Sequence, residues 1–479
     1  MTTRRRFVKN SMLGMISTWG ALHGFSHTQQ RDWSFQLDSE SKDPFLSGNN
    51  APVSEELIVQ NLKVSGQIPT DIEGAFLRNG PNPKFSPVNY VYPFSGDGMV
   101  HAIYFDHGKV QYRNKWIYTE RLKNDLKAGK ALASRLETSN TNIIYHHGKI
   151  VTLNDVGSPY QIDRNLDTVG STNFGEMRWP SAHPRIDPVT KELHVASYSR
   201  TAPYLIYYVM DKNGKVIRSS QIEIPDSTII HDMVITPHYA IIVVCPVIFN
   251  VEKAKAGQNP FAWEPDKGTS IYVMERNNID SPPVKLTTEP FFVWHFVNGF
   301  EESNQIHLDL VRHNDVPFVK SDRAYQYLPT SLHRISINLS TLTVKHKDFD
   351  DRRIEFPTIN GQINGQPYRH GYSVVLLPEH FTSKPPEYFA QSIQYDVQNQ
   401  SHKLHNYGKG RYTGELAFIP RKNSKSESDG YVISFVFDEN TGKSDVVLLD
   451  ANNFEKEPIA IIHLPVRVPN GLHGNWLPI

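Results

Sequence analysis

The residues that could do chemistry in this chain are its histidines, of which there are 21 in 479 residues, against a single cysteine, Cys245. One cysteine forms neither an intramolecular disulfide nor a cysteine-rich metal site, so any metal ion must be held by imidazoles and carboxylates. Four histidines stand in dense, unusual contexts: Ser181-Ala-His183-Pro-Arg185-Ile-Asp187-Pro, Ile230-His231-Asp232-Met, Trp294-His295-Phe-Val-Asn298-Gly-Phe-Glu301-Glu302, and Gly471-Leu-His473-Gly-Asn-Trp476. Spread over most of the chain, they cannot come from one helix or one loop. Separate elements would have to deliver them to a common point, as the inner strands of a propeller can. Any one of them alone reads as a hydrogen-bonded core or surface residue. His101, His194, His238, His370 and His405 stay with that reading. His238 shares a strand-and-turn segment with His231, which does not oblige both to face one site.

The elements that must position these side chains are β-strands. Tyr204 to Met210, then Asn213-Gly214, then Val216 to Ile224 reads as a hairpin with an Asn-Gly turn. Tyr431 to Phe437 with Ser444 to Leu449 repeats the layout, as does His333 to Val344 around Asn338. Ala240 to Phe249 and Ile271 to Met274 are β-branched runs suited to buried strands. Glu120 to Leu136 carries the best helical pattern and predicts one or two short helices. Many short antiparallel strands without βαβ alternation predict an all-β fold, with a propeller fitting the length better than a sandwich pair or a barrel. The sequence holds no strict blade motif.

Lysine plus arginine and aspartate plus glutamate both number 50, so no global field draws this chain to nucleic acid or an acidic membrane. Thr3-Arg4-Arg5-Arg6-Phe7 before the apolar run 11–22 matches a twin-arginine export signal. Residues 1–27 are therefore expected to direct the folded chain to the periplasm. If they form a basic tail instead, the location is cytoplasmic or membrane-peripheral. Residues 28–53 read as a linker or wrapping arm and 54–479 as a single domain.

From about Leu57 to the C-terminus the sequence resembles the carotenoid cleavage oxygenase family, which includes stilbene-cleaving dioxygenases and the retinoid isomerase of the visual cycle. The motifs that carry the resemblance are Phe76-Leu-Arg78-Asn79-Gly80-Pro81, Phe94-Ser-Gly96-Asp97-Gly98-Met99-Val100-His, and the four histidine segments above. The resemblance implies a seven-bladed propeller capped by loops and short helices, with one Fe(2+) on its axis. Carried over by motif, its four iron ligands are His183, His231, His295 and His473. Neutral imidazoles leave the ion's charge uncompensated, so carboxylates that accept the remaining ring N–H matter. The family's three acids fall on Glu355, Glu415 and Asp155, the last where relatives usually have the longer Glu. Its contact to a histidine would thus be direct, water-bridged or absent. Thr141 resembles the family threonine that crowds a vacant iron position.

The implied reaction is scission of a conjugated C=C bond by O2 to give carbonyl products. Stilbene-cleaving relatives place a lysine just before the acid that here is Asp155. This chain has Asn154, which favours a carotenoid or apocarotenoid over a hydroxystilbene. Such apolar polyenes reside in bilayers, so the segment from Leu122 to Leu136 is expected to contribute to a peripheral membrane contact or to pack as an ordinary amphipathic helix. Polyene isomerisation is the alternative within the same fold. A non-enzymatic propeller is the alternative outside it, and predicts loss of histidine motifs that are all present.

Overall fold

In the computed structural model the described residues are 46–478, apart from 88–95, 133–136, 156, 173, 176, 256–259, 279, 317–328 and 378–387. The export-type motif, most of the arm and Leu136 lie outside them. A strand that is apolar on both faces needs a neighbour on each side. Tyr239–Val244 shows how the chain supplies both. Ala240 and Ile242 enter one buried cluster, Ile241 and Val243 another. Ile143 and Ile144 divide in the same way. The two-residue period thus sends successive side chains into different cores.

Seven antiparallel sheets satisfy this requirement as the blades of a propeller. Blade one contains Leu57–Val59, Lys109–Trp116, Gly98–Asp106, Gly74–Pro81 and the C-terminal Gly474–Leu477. Blades two to six begin on the axis with Asn142–His146, Arg185–Ile186, Val234–Ile235, Phe292–Glu302 and Ile354–Thr358. Blade seven contains Arg411–Thr413, Ala417–Pro420, Gly430–Asp438, Lys443–Asp450, Ala460–His463 and the N-terminal Lys63–Gly66. Each junction between successive blades is filled by its own hydrophobic cluster, including the one that joins blade seven to blade one. All three hairpins read from the sequence are present, the first as Leu205–Met210 paired with Val216–Gln221. The helix read from Glu120 to Leu136 runs only from Glu120 to Ala128. Thr119 caps its start, and Gly129, at φ 65°, ends it in the left-handed conformation. No described helix is long and apolar enough to cross a membrane.

The ring is closed twice. The C-terminal strand pairs with Gly74–Pro81 in blade one, and the N-terminal Lys63–Gly66 pairs with Ala460–His463 in blade seven. Near the axis the described end of the arm reinforces this closure: Asn49 Nδ2 donates to Asn470 Oδ1 at 2.6 Å, and Asn470 Nδ2 to Asn50 Oδ1 at 2.7 Å. Gly80 is required where the two segments meet, since a Cβ there would lie 2.6 Å from Gly471 Cα. That close approach lets Leu472 N donate to the Asn79 carbonyl and Asn79 N to the His473 carbonyl.

Blade five carries a fully buried carboxylate, Asp309. It accepts Arg334 Nε at 2.6 Å, Arg334 Nη2 at 2.7 Å and the Tyr368 hydroxyl at 2.6 Å. Asp309→Ala leaves the guanidinium without its partner and is expected to destabilise the chain by about 3–5 kcal/mol, read as a lowered thermal midpoint with unchanged strand content by circular dichroism.

Candidate metal centre

Each blade places one residue within a few positions of the start of its axial strand. In ring order these are Thr141, His183, His231, His295, Glu355, Glu415 and His473. Repetition of the blade, rather than any local motif, gathers residues so far apart in sequence. The four histidines offer ring nitrogens that all lie within 4.8 Å of one another, and three of the four residues are buried. Their rings meet at short range, with His183 4.2 Å from His473 and 4.4 Å from His231, centroid to centroid.

Carboxylates stand behind three of them. His231 Nδ1 donates to Asp155 Oδ2 at 2.6 Å, His295 Nδ1 to Glu355 Oε2 at 2.6 Å, and His473 Nδ1 to Glu415 Oε1 at 2.9 Å. The shorter side chain of Asp155 therefore reaches its histidine directly. These bonds fix the tautomer: with the proton on Nδ1, each Nε2 turns a bare lone pair inward. His231 Nε2 and His295 Nε2 are 3.2 Å apart, and with both protons engaged at Nδ1 neither has one to share. His183 Nε2 is buried and has no hydrogen-bond partner. Acceptors aimed at one another repel unless a cation lies between them. Two nitrogens bound at right angles to one ion, at about 2.1 Å each, would be about 3.0 Å apart. The cluster can hold a metal ion, and its donor set of neutral nitrogens suits a first-row transition metal.

Burial disfavours the charged form of these rings. It pushes His183 far below the usual imidazole pKa, with the three neighbouring imidazoles adding to the effect. It also lowers His295, against the opposing pull of Glu355. At His231 the burial effect is outweighed by Asp155, and the pKa rises. Burial alone would raise Glu355, yet His295 and His313 together hold it far below the usual carboxylate range.

His313 is a site residue that the sequence did not disclose. Its Nε2 donates to Glu355 Oε1 at 3.0 Å, so this carboxylate is held by imidazoles on both oxygens. A lone histidine at the end of Gln305–His313 carries no signal in sequence that separates it from a core residue. Glu355 Oε2 also accepts the amide of Phe356, whose φ of 51° strains a non-glycine backbone. That geometry lays the Phe356 ring over His295, at 5.6 Å and 27°, and against His473 at 5.3 Å. Trp294 stands edge-on to His231 at 4.8 Å. Thr141 is buried beside the cluster, its carbonyl accepting His473 N at 3.0 Å. The histidines read from the sequence as ordinary ones sit elsewhere: His101 bonds Tyr112, His194 bonds Tyr207, and His238 is exposed and pairs with Glu301. His370 is half-buried beside Glu427 and Asp396, and His405 packs on Tyr407.

The family model described as retinal pigment epithelial membrane protein matches residues 50–478. The chain belongs to this family, that of the carotenoid cleavage oxygenases. A carotenoid 9,10(9',10')-cleavage dioxygenase of Crocus sativus is 32% identical, over 90% of this chain and 88% of its own length. An isoeugenol monooxygenase of Pseudomonas nitroreducens is 30% identical, over 91% of this chain and 98% of its own. Among solved structures, the lignostilbene dioxygenase of Pseudomonas brassicacearum superposes with a TM-score of 0.86 at 26% identity, covering 91% of this chain and 99% of that one. A mutant of the Synechocystis apocarotenoid oxygenase gives 0.81 at 28% identity, covering 89% and 97%. As a member of this family the chain is an oxygenase enzyme of propeller fold.

Anaerobic metal loading is expected to give one divalent transition-metal ion per chain, and none in His231→Ala/His295→Ala, by elemental analysis. Glu415→Gln, which removes the charge behind His473, is expected to weaken metal binding roughly 10- to 100-fold, measured by chelator competition.

Proposed function

We propose that this chain is an iron(II)-dependent dioxygenase that cleaves one C=C bond of a carotenoid or apocarotenoid, with His183, His231, His295 and His473 as its iron ligands. The observation that carries the reading is the convergence of four imidazoles, three backed by carboxylates, with no carboxylate among the converging ligand atoms of the described residues. Three anionic partners lying one shell outside favour a divalent ion while leaving the inner shell neutral. Bound iron(II) would supply the electrons for O2 activation and an open coordination position. The balance is one alkene and one O2 consumed, two carbonyls formed, with each oxygen atom ending in one product.

The protein's own part is to hold and to exclude. Asp155, Glu355 and Glu415 fix the ring orientations through Nδ1. Phe356 and Trp294 cover the imidazoles with apolar surface and keep water from the ligand shell. Thr141, positioned through its backbone bond to His473, is assigned the role of restricting access to an open coordination position.

For the substrate, Asn154 is the informative residue. It is buried, and its amide donates to Thr138 Oγ1 at 3.3 Å, so the position before Asp155 offers no cation to a phenolate. The carotenoid-cleaving relatives support the same choice. A phenylpropenoid or stilbene is the second reading, supported by the likeness to lignostilbene dioxygenase and isoeugenol monooxygenase. Uptake of a polyene from a membrane surface belongs to the first reading, and Leu126 on the helix Glu120–Ala128 is an exposed apolar side chain suited to such contact. The proposal includes export of the folded chain, supported by Arg4, Arg5 and Arg6.

The iron-loaded protein, incubated under O2 with an apocarotenal, a full-length carotenoid and a hydroxystilbene, is expected to give shortened aldehydes from a polyene. Mass analysis of the products checks it. Cleavage of the stilbene alone would refute the argument from Asn154, and a product of unchanged mass with altered double-bond geometry would establish isomerisation instead.

A further inference from the structure

We infer that Arg185 and Asp232 form a neutral clamp that sets the relative positions of His183, His231 and His295, making both of them positioning residues for the metal. The inference rests on the metal reading above. Arg185 follows His183 by two residues, Asp232 directly follows His231, and Phe296 directly follows His295. These belong to blades three, four and five, which are separate sheets. Sliding of one blade against the next would carry its histidine with it.

The guanidinium ties all three blades together at the level of the ligands. Arg185 Nε donates to Asp232 Oδ1 at 3.1 Å and to the Met233 carbonyl at 2.8 Å. Its Nη2 donates to Asp232 Oδ2 at 2.5 Å and to the Phe296 carbonyl at 3.2 Å. Asp232 Oδ2 also accepts Phe296 N at 2.9 Å, so blades four and five are joined directly as well. A parallel backbone bridge links His183 to Asp232. The carboxylate side chain is 1% exposed and the guanidinium 18% exposed, which makes the pair rigid and poorly screened.

Only a planar fork meets this geometry. The two nitrogens along one edge of the guanidinium, Nε and Nη2, face one carboxylate and also reach carbonyls on two blades, whereas a lysine ammonium is a point donor on a flexible stem. The charges also cancel. Asp232 adjoins a histidine that already has its own acid in Asp155, and Arg185 prevents it from acting as a second, uncompensated anion beside the cluster. His473, on blade one, is held by a different device, its amide bonding Thr141 and the following amide, Gly474 N, bonding Glu415 Oε2 at 2.6 Å. The clamp therefore governs three ligands and leaves the fourth to the ring closure.

The test uses the full chain loaded with cobalt(II), comparing the native protein with Arg185→Gln, Arg185→Lys, Asp232→Asn and the double variant Arg185→Gln/Asp232→Asn. Affinity is read by competition with a chromophoric chelator, ligand geometry by the visible cobalt spectrum, and folding by the melting temperature of the metal-free chain. Arg185→Gln and the double variant are expected to bind cobalt roughly 10- to 100-fold more weakly, with an altered spectrum, and Arg185→Lys to lose less. Native affinity and an unchanged spectrum in these variants, even with a lowered melting temperature, would assign the pair to stability alone and overturn the inference. If Arg185→Gln fails to fold, Arg185→Lys and Asp232→Asn decide by the same criterion. A native protein that takes up no cobalt removes the metal reading itself and the inference with it, an outcome distinct from failure of the clamp.

Discussion

Four imidazoles whose bare nitrogens face one another cannot stay together without help. Each must be desolvated, held neutral and aimed at a point where its neighbours' lone pairs already lie. The structure answers this from two directions. Carboxylates outside the cluster take the Nδ1 protons and supply negative charge at a distance, and the inner space is left for a cation. The burial that disfavours a charged imidazole at His183 also strengthens the hydrogen bonds from the other three rings to the acids behind them, because a poorly solvated site screens such contacts less.

Such convergence demands a scaffold that is rigid around a full circle. A propeller provides it because its core is distributed. Seven hydrophobic clusters lie between blades rather than within one centre, so every blade is fixed by both neighbours. The ring is tied shut where Gly474–Leu477 joins blade one and Lys63–Gly66 joins blade seven. The same closure bears directly on the site. The C-terminal strand that completes blade one begins next to His473, and the segment before it is pinned by Asn49, Asn50 and Gly80. Closing the fold and placing the fourth histidine are one structural event.

Polar ties then refine what packing leaves loose. Glu355 is gripped by His295 on one side and His313 on the other, and its oxygen also takes the Phe356 amide. Arg185 and Asp232 span three blades. The strained backbone at Phe356 belongs to this layer, since it places an aromatic ring against two of the imidazoles. Charge and shape around the site are in this way set by residues that never enter the ligand shell.

Much of this was legible in the sequence. The hairpins and the strand-rich character show in local patterns, because antiparallel strands need alternation and turns, and the four histidines stand in dense local contexts; their role as one ligand set, and the part of Glu355 and Glu415 behind them, came from the family resemblance. The Asn213-Gly214 turn and the β-branched run from Ala240 are determined within a few residues of themselves. What only the tertiary structure decided are contacts between blades. That Asp155 reaches His231 directly, that His313 supports Glu355 and that Arg185 bridges to Phe296 are facts about backbones brought together from far apart in the chain. Even the helix from Glu120 stopped earlier than its apolar pattern, at Gly129. A sequence records which side chains are available, but the distance between two of them on different blades is set by the packing of the whole ring, and a difference of one methylene becomes readable only once that packing is complete.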